Sequence, residues 1–194
     1  MDIHPQAELE QLLAHLDDFA LHQTKAEILY VLTEQHPQLW AKVLQHHDAF
    51  SSLQPLPLRT SWTSEALLNG TMLCMAVVGD WGHEEVRAMG YAASEQMNNS
   101  KVYGIMLRML SGKMIVKGAA SRWDKLHQGT TLHARDDGDV VVAELQHPPH
   151  LFGPTMAVAY EGVFQAILDV ARDPGTVHLQ SSTPTMTTWT MHFR

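Results

Sequence analysis

The chain reads as an α+β protein. N-terminal helices precede a strand–strand–helix–strand–strand unit, whose strands form a four-stranded antiparallel sheet covered by helices on one face. Three observations carry this reading. Residues 130–135 and 139–146, and later 176–182 and 186–193, alternate apolar and polar side chains, the period of half-buried strands. Between the two pairs, residues 154–172 place Met156, Ala159, Tyr160, Val163, Phe164, Ile167 and Val170 three or four apart, the period of an amphipathic helix. Apart from a linker at 51–61, everything before residue 125 reads as helix.

Taken in order, residues 6–21 put Leu9, Leu12, Leu13, Leu16 and Phe19 on one helical face. Thr24-Lys-Ala-Glu27 has the form of a capping box and predicts a helix through Leu32. Pro37 suits the first turn of a third helix burying Leu39, Trp40, Val43, Leu44 and Phe50. Residues 51–61, SSLQPLPLRTS, have two prolines and no period, which predicts a linker. The expected organisation is an N-terminal helical cap at 1–50, a linker at 51–61 and an α/β ligand- or partner-binding domain at 62–194, forming one compact unit.

A helix is expected over residues 64–78, with Leu67, Leu68, Met72 and Met75 on one side. Asp80 then reads as the N-cap of a helix over 82–97, with Glu84 and Glu85 favoured by the helix dipole. Val86, Met89, Ala93 and Met97 form its stripe. Ser100 would cap a further helix presenting Val102, Ile105, Met106, Met109 and Leu110, with Gly112 interrupting it before Met114, Ile115 and Trp123. Asp136-Asp-Gly-Asp139 is a hairpin turn in which Gly138 supplies positive φ. Pro148-Pro149 ends one strand and Asp173-Pro-Gly175 stops the late helix.

Composition excludes several function classes. A chain of 194 residues buries one real core. Apolar residues make up 45% and charged residues 18%, as in globular proteins. The net charge of −8, with no Lys/Arg cluster, argues against nucleic acid. Cys74 is the single cysteine, so neither an intramolecular disulfide nor a cysteine-built zinc site is available. Residues 1–10 are polar and acidic, unlike a secretion signal, and the apolar run at 72–78 is too short for a membrane span. A soluble cytoplasmic protein is expected.

No catalytic motif survives inspection, and the chain is not expected to be an enzyme. His83-Glu84-Glu85 lacks the second His of a zinc-protease helix, since position 87 is Arg87. Gly112-Lys113 lacks the rest of a phosphate loop, and Asp136, Asp137 and Asp139 lack the distal glutamate of a calcium loop. Cys74 lies among apolar residues, where a thiol stays protonated.

Strand alternation divides the sheet into two sets. Leu132, Ala134, Val141, Ala143, Leu145, Val177, Leu179, Trp189, Met191 and Phe193 would face the helices. His133, Arg135, Val140, Val142, Glu144, His178, Gln180, Thr188, Thr190 and His192 would face away. His133, His178 and His192 are thus candidate metal ligands. A solvent-facing or dimer-facing sheet explains the same pattern. Met72, Met75, Met89, Met97, Met106, Met109 and Met114 fall on helices expected to pack together, as core or as the lining of an adaptable pocket. A pocket between helix and sheet would be lined by Tyr103, Met106, Leu110, Trp123 and Phe164.

From Val78 onward the chain also resembles a small-molecule-binding superfamily. It comprises vinyl-reductase-like sensor domains, haem–nitric-oxide-binding-like domains and Golgi transport complex subunits. The nearest likeness is to short paralogous proteins found mainly in myxobacteria. The residues that carry it are Met89-Gly90-Tyr91, Trp123, Gly129, Gly138, Pro148-Pro149, Gly162 and the closing Thr187-Thr-Trp-Thr-Met-His-Phe193. The resemblance implies a homodimeric α/β module that binds an apolar small molecule or a protein partner in regulation or signalling. The cysteine zinc site of the phenol-sensing members has no counterpart here, nor has the Tyr-Ser-Arg pattern that holds haem propionates in the nitric-oxide sensors. No cofactor is therefore expected. An adaptor with no small ligand and a His-based metal sensor are the alternative readings.

Overall fold

The computed structural model describes residues 2–98, 109–172 and 174–193. The described helices are α1 (Pro5–Ala14), α2 (Glu27–Gln35), α3 (Pro37–His46), α4 (Glu65–Gly79), α5 (His83–Asn98), α6 (Gly112–Ser121) and α7 (Pro154–Asp169). The described strands are β1 (Gln23–Lys25), β2 (Trp62–Ser64), β3 (His127–Gln128), β4 (Thr131–Asp136), β5 (Val140–Gln146), β6 (Gly175–Ser182) and β7 (Met186–Phe193). No helix among the described residues is long and apolar enough to cross a membrane.

The large sheet is antiparallel in the order β4-β5-β7-β6, two hairpins joined through β5 and β7. The expected inner set is seated as the alternation requires: Leu132, Val141, Ala143, Leu145, Val177, Trp189 and Met191 are buried, and Ala134, Leu179 and Phe193 pack against the same core. α7 covers this inner face, and the Trp189 indole Nε1–H donates to the Ala157 carbonyl at 3.0 Å. Along the edge, Val177 N–H donates to Gln165 Oε1 and Leu179 N–H to Glu161 Oε2. Side chains of α7 thereby satisfy part of a strand edge that would otherwise be open to pairing.

α5 lies on the far side of α7, and the two backbones approach through glycines. A Cβ at Gly90 would fall 1.9 Å from the Ala159 carbonyl oxygen, and one at Gly162 would fall 2.0 Å from the Arg87 carbonyl oxygen. Neither space admits any side chain. Two polar contacts flank this crossing, Arg87 Nε to Glu161 Oε1 at 3.1 Å and Tyr91 OH to Asp169 Oδ2 at 3.0 Å. The Tyr91 phenol is held above its usual range, first by that hydrogen bond.

α4 is buried almost all round, from Glu65 to Ala76, as a helix without a polar face must be. The N-terminal helices pack on it, so one apolar cluster runs from Leu9 to Met191. Cys74 sits in this cluster and burial pushes its thiol up to about 11.

Several expectations need correction. The region before residue 125 is not all helix, because β1 and β2 pair with β3 in a separate three-stranded sheet, β2-β1-β3. Thr24 is a strand residue rather than a cap, and Ala26 opens α2 with no side-chain cap. Glu27 instead pairs with Arg59 at 2.8 Å. The first helix stops at Ala14 and a 3-10 turn, Leu16–Phe19, replaces its end. Asp80 closes α4 in the left-handed region (φ 53°) rather than opening α5, whose start is satisfied by Glu85 accepting from Gly82 N–H. The interruption expected at Gly112 falls at Leu110 and Ser111, and Gly112 opens α6 behind a Ser111 cap. Of the methionines, Met72, Met75 and Met89 are buried, but Met109 and Met114 are exposed. Ser100, Val102 and Ile105 lie outside the described residues.

α7 has no N-cap of its own: Gly153 precedes it and Pro154 opens it. Glu8 of α1 takes that role, accepting from Thr155 N–H at 3.0 Å and from Thr155 Oγ1 at 2.6 Å. A carboxylate at a helix N-terminus satisfies free N–H groups and complements the dipole. Glu8→Ala is expected to lower stability by about 1–2 kcal/mol, and Glu8→Gln by less, measured as the shift in urea midpoint.

Candidate functional site

The small sheet brings together two buried groups of opposite chemistry. Glu65 follows β2 at the first position of α4, with its backbone N–H donating to the His22 carbonyl. His127 lies on β3, whose backbone pairs with Thr24 of β1. Glu65 Oε1 and His127 Nδ1 are 2.7 Å apart, and the side chains are 0% and 7% exposed. Burial makes this hydrogen bond costly to break, because neither partner has water to fall back on.

Around the pair is a continuous set of rings. Trp123 stacks on His127, centroids 3.9 Å apart and planes 7° apart, and its Nε1–H donates to Thr130 Oγ1 at 2.9 Å. Tyr160 lies 6.3 Å from Trp123, 4.9 Å from Phe152 and 6.3 Å from both Phe164 and Trp189. Burial holds the Tyr160 phenol well above its usual range, and the Glu65 carboxylate adds to this. Two oxygens on one face of α4 have no partner among the described residues, Glu65 Oε2 and, one turn on, Asn69 Oδ1. Asn69 Nδ2 donates to the Leu151 carbonyl at 2.9 Å. A buried acceptor without a donor is expensive, so the cluster offers two places for a ligand's N–H or O–H.

The sequence-derived lining separates. Trp123 and Phe164 sit on either side of Tyr160 in this cluster. Leu110 belongs to a small satellite cluster with Ile115, Ile167 and Ala171. Tyr103 and Met106 lie outside the described residues. Of the candidate metal ligands, His178 and His192 are neighbours, rings 5.8 Å apart on β6 and β7. His133 is on β4, with β5 and β7 between it and His178. Among the described residues no group of three His, Cys, Asp or Glu is arranged to hold a metal ion. Sequence reasoning missed Glu65, Asn69 and His127. Glu65 and Asn69 left one signal, two polar residues four apart within an apolar helix; His127 left none.

Solved structures of similar shape decide the fold. The unliganded Fe(II) H-NOX protein from K. algicida superposes with TM-score 0.63 over 88% of this chain and 96% of its own, at 8% identity. The Fe(II)NO form of an S. oneidensis H-NOX protein gives 0.56 over 88% and 99%, at 12% identity. A structure probing heme distortion in the H-NOX family gives 0.58 over 88% and 95%, at 13% identity. The fold is that of an H-NOX domain. No family model matches the chain, and no curated protein matches it.

The expectation that no cofactor is involved is corrected by these H-NOX neighbours, which are described by their iron ligation state or their heme. Against that group, the described residues divide. The donor chemistry fits: an imidazole held through Nδ1 by a carboxylate has the orientation of a metal ligand with its second-shell partner, and His127 with Glu65 is so arranged. The room does not fit, because Trp123, Phe152, Tyr160, Phe164 and Trp189 fill the space between helices and sheet with rings in mutual contact. A porphyrin seated there would have to displace them.

A second buried imidazole reports on the sheet. His147 Nε2 lies 3.1 Å from Thr187 Oγ1, and burial pulls its pKa below the usual value. His36 is shifted the same way by burial. The unfolded chain protonates such groups near pH 6.5, so below that pH the unfolded state binds more protons and stability falls as pH drops. Melting temperature is expected to decrease between pH 7.5 and 5.5, with a shallower slope in His147→Gln.

Proposed function

We propose that this chain is a non-enzymatic regulatory module that senses a small molecule at the Glu65–His127–Tyr160 cluster and passes the signal to a protein partner. The carrying observation is the two buried oxygens without a partner among the described residues, Glu65 Oε2 and Asn69 Oδ1, on a helix that faces a cage of aromatic rings. Apolar rings supply affinity and a few fixed polar groups supply orientation, which is the usual division of labour in a ligand site. The H-NOX fold over most of the chain supports a sensing role. A small aromatic molecule suits the ring-lined cluster first. Hemin is the comparison probe, because the neighbours are described by heme while this chain's own rings occupy the room it would need. Kinship with the vinyl-reductase-like sensors and the myxobacterial paralogues, and a homodimeric state, belong to the same proposal.

Native mass spectrometry and visible absorbance of protein purified from cells test it, followed by titration with hemin and with small aromatic alcohols. A retained or added ligand is expected at one per chain, raising the melting temperature by mass action. Glu65→Gln should weaken it about tenfold, the worth of one good hydrogen bond. No retained mass and no response to any of these probes, with a partner protein co-purifying, would instead support the adaptor reading.

A further inference from the structure

The face of the large sheet turned away from α7 carries a pair of imidazoles that the cluster above does not use. The β6–β7 register sets His178 opposite Thr190 and His192 opposite Thr176. The two histidines are therefore diagonal neighbours on one face, close enough for long side chains to meet. Their ring centroids are 5.8 Å apart and their planes cross at 62°. Two imidazoles on one tetrahedral zinc, at about 2.0–2.1 Å per nitrogen, put their ring centres about 5 Å apart, so a small rotamer change closes the gap. Both residues are exposed, and among the described residues neither ring has a hydrogen-bond or ion-pair partner.

The surroundings favour a cation. Across β7, the neighbouring strand β5 presents Val140 opposite His192 and Val142 opposite Thr190, so no positive charge faces the pair from that strand. Arg135, one strand further, is turned onto Asp137 at 3.0 Å. The chain's net charge of −8 draws cations to it. The other close histidine pair lacks the geometry. His15 and His150 stack at 4.6 Å with planes 7° apart, so the in-plane lone pairs of parallel rings cannot converge on one ion, and His15 Nδ1 is already paired with Asp18.

We propose that His178 and His192 form a two-histidine chelate for a late divalent transition metal such as Zn²⁺, with water in the open positions. Imidazole suits these metals and not Mg²⁺ or Ca²⁺. The site is separate from the buried cluster and stands or falls independently of it.

Calorimetric titration of the full chain with ZnCl₂, alongside MgCl₂, tests the chelate. One strong Zn²⁺ site per chain is expected, with no Mg²⁺ response. His178→Ala and His192→Ala should each lower affinity by at least the roughly 10–100-fold lost when even a second-shell partner is removed. His133→Ala should leave it unchanged. Both positions are exposed, so the variants should keep the wild-type circular dichroism, and imidazole NMR signals of His178 and His192 should be the first to shift. Absence of a Zn²⁺ site, affinity indifferent to both substitutions, or equal loss in His133→Ala would overturn the proposal.

Discussion

The backbone contact between α5 and α7 is the constraint on which the rest of this structure depends. Gly90 against Ala159 and Gly162 against Arg87 let two helices touch at main-chain distance. That approach sets how far α7 stands from α5, and so how it lies on the sheet. Trp189 then reaches the Ala157 carbonyl, and Tyr160 falls between Trp123 and Phe164. Glu8 closes the arrangement from the opposite end by capping α7 from α1. Packed interiors tolerate little change in volume, so a wider crossing would shift every ring of the cluster.

Much of this architecture was legible because the C-terminal sheet has one buried and one open face. Val141, Ala143 and Leu145 alternate with Val142 and Glu144, and that alternation alone assigns the inner side. The likeness to sensor families rested partly on Gly90 and Gly162, and the helix crossing explains why those positions admit no side chain. What could not be read was whatever depends on distant partners. β1, β2 and β3 are two or three residues each, too short for a period, and they exist through pairing of β1 with β2 about 40 positions on and with β3 more than 100 positions on. Thr24 looked like a cap because capping and strand pairing ask for the same small hydroxyl residue. Of the expected lining, Phe164 lies on a helix with a clear period and Trp123 on a three-residue 3-10 turn after α6, whereas the meeting of Glu65 with His127 is set by the small sheet.

Fold and chemistry stand apart here. The fold is shared with H-NOX proteins over 88% of this chain, at 8–13% identity. The space between helices and sheet is filled by this chain's own rings, which enclose a carboxylate–imidazole pair; Glu65 Oε2 of that pair and Asn69 Oδ1 one turn on have no partner among the described residues. A fold can be shared while the side chains inside it differ.

Equilibrium unfolding of three alanine variants tests the glycine-keyed crossing directly. Gly118 lies on α6 with nothing within 4 Å of an added Cβ, so Gly118→Ala should stabilise by about 0.5–1 kcal/mol through helix propensity. Gly90→Ala and Gly162→Ala should each destabilise by about 1–3 kcal/mol or more through overpacking. Three variants equally stable, or stabilised at all three sites, would contradict the account.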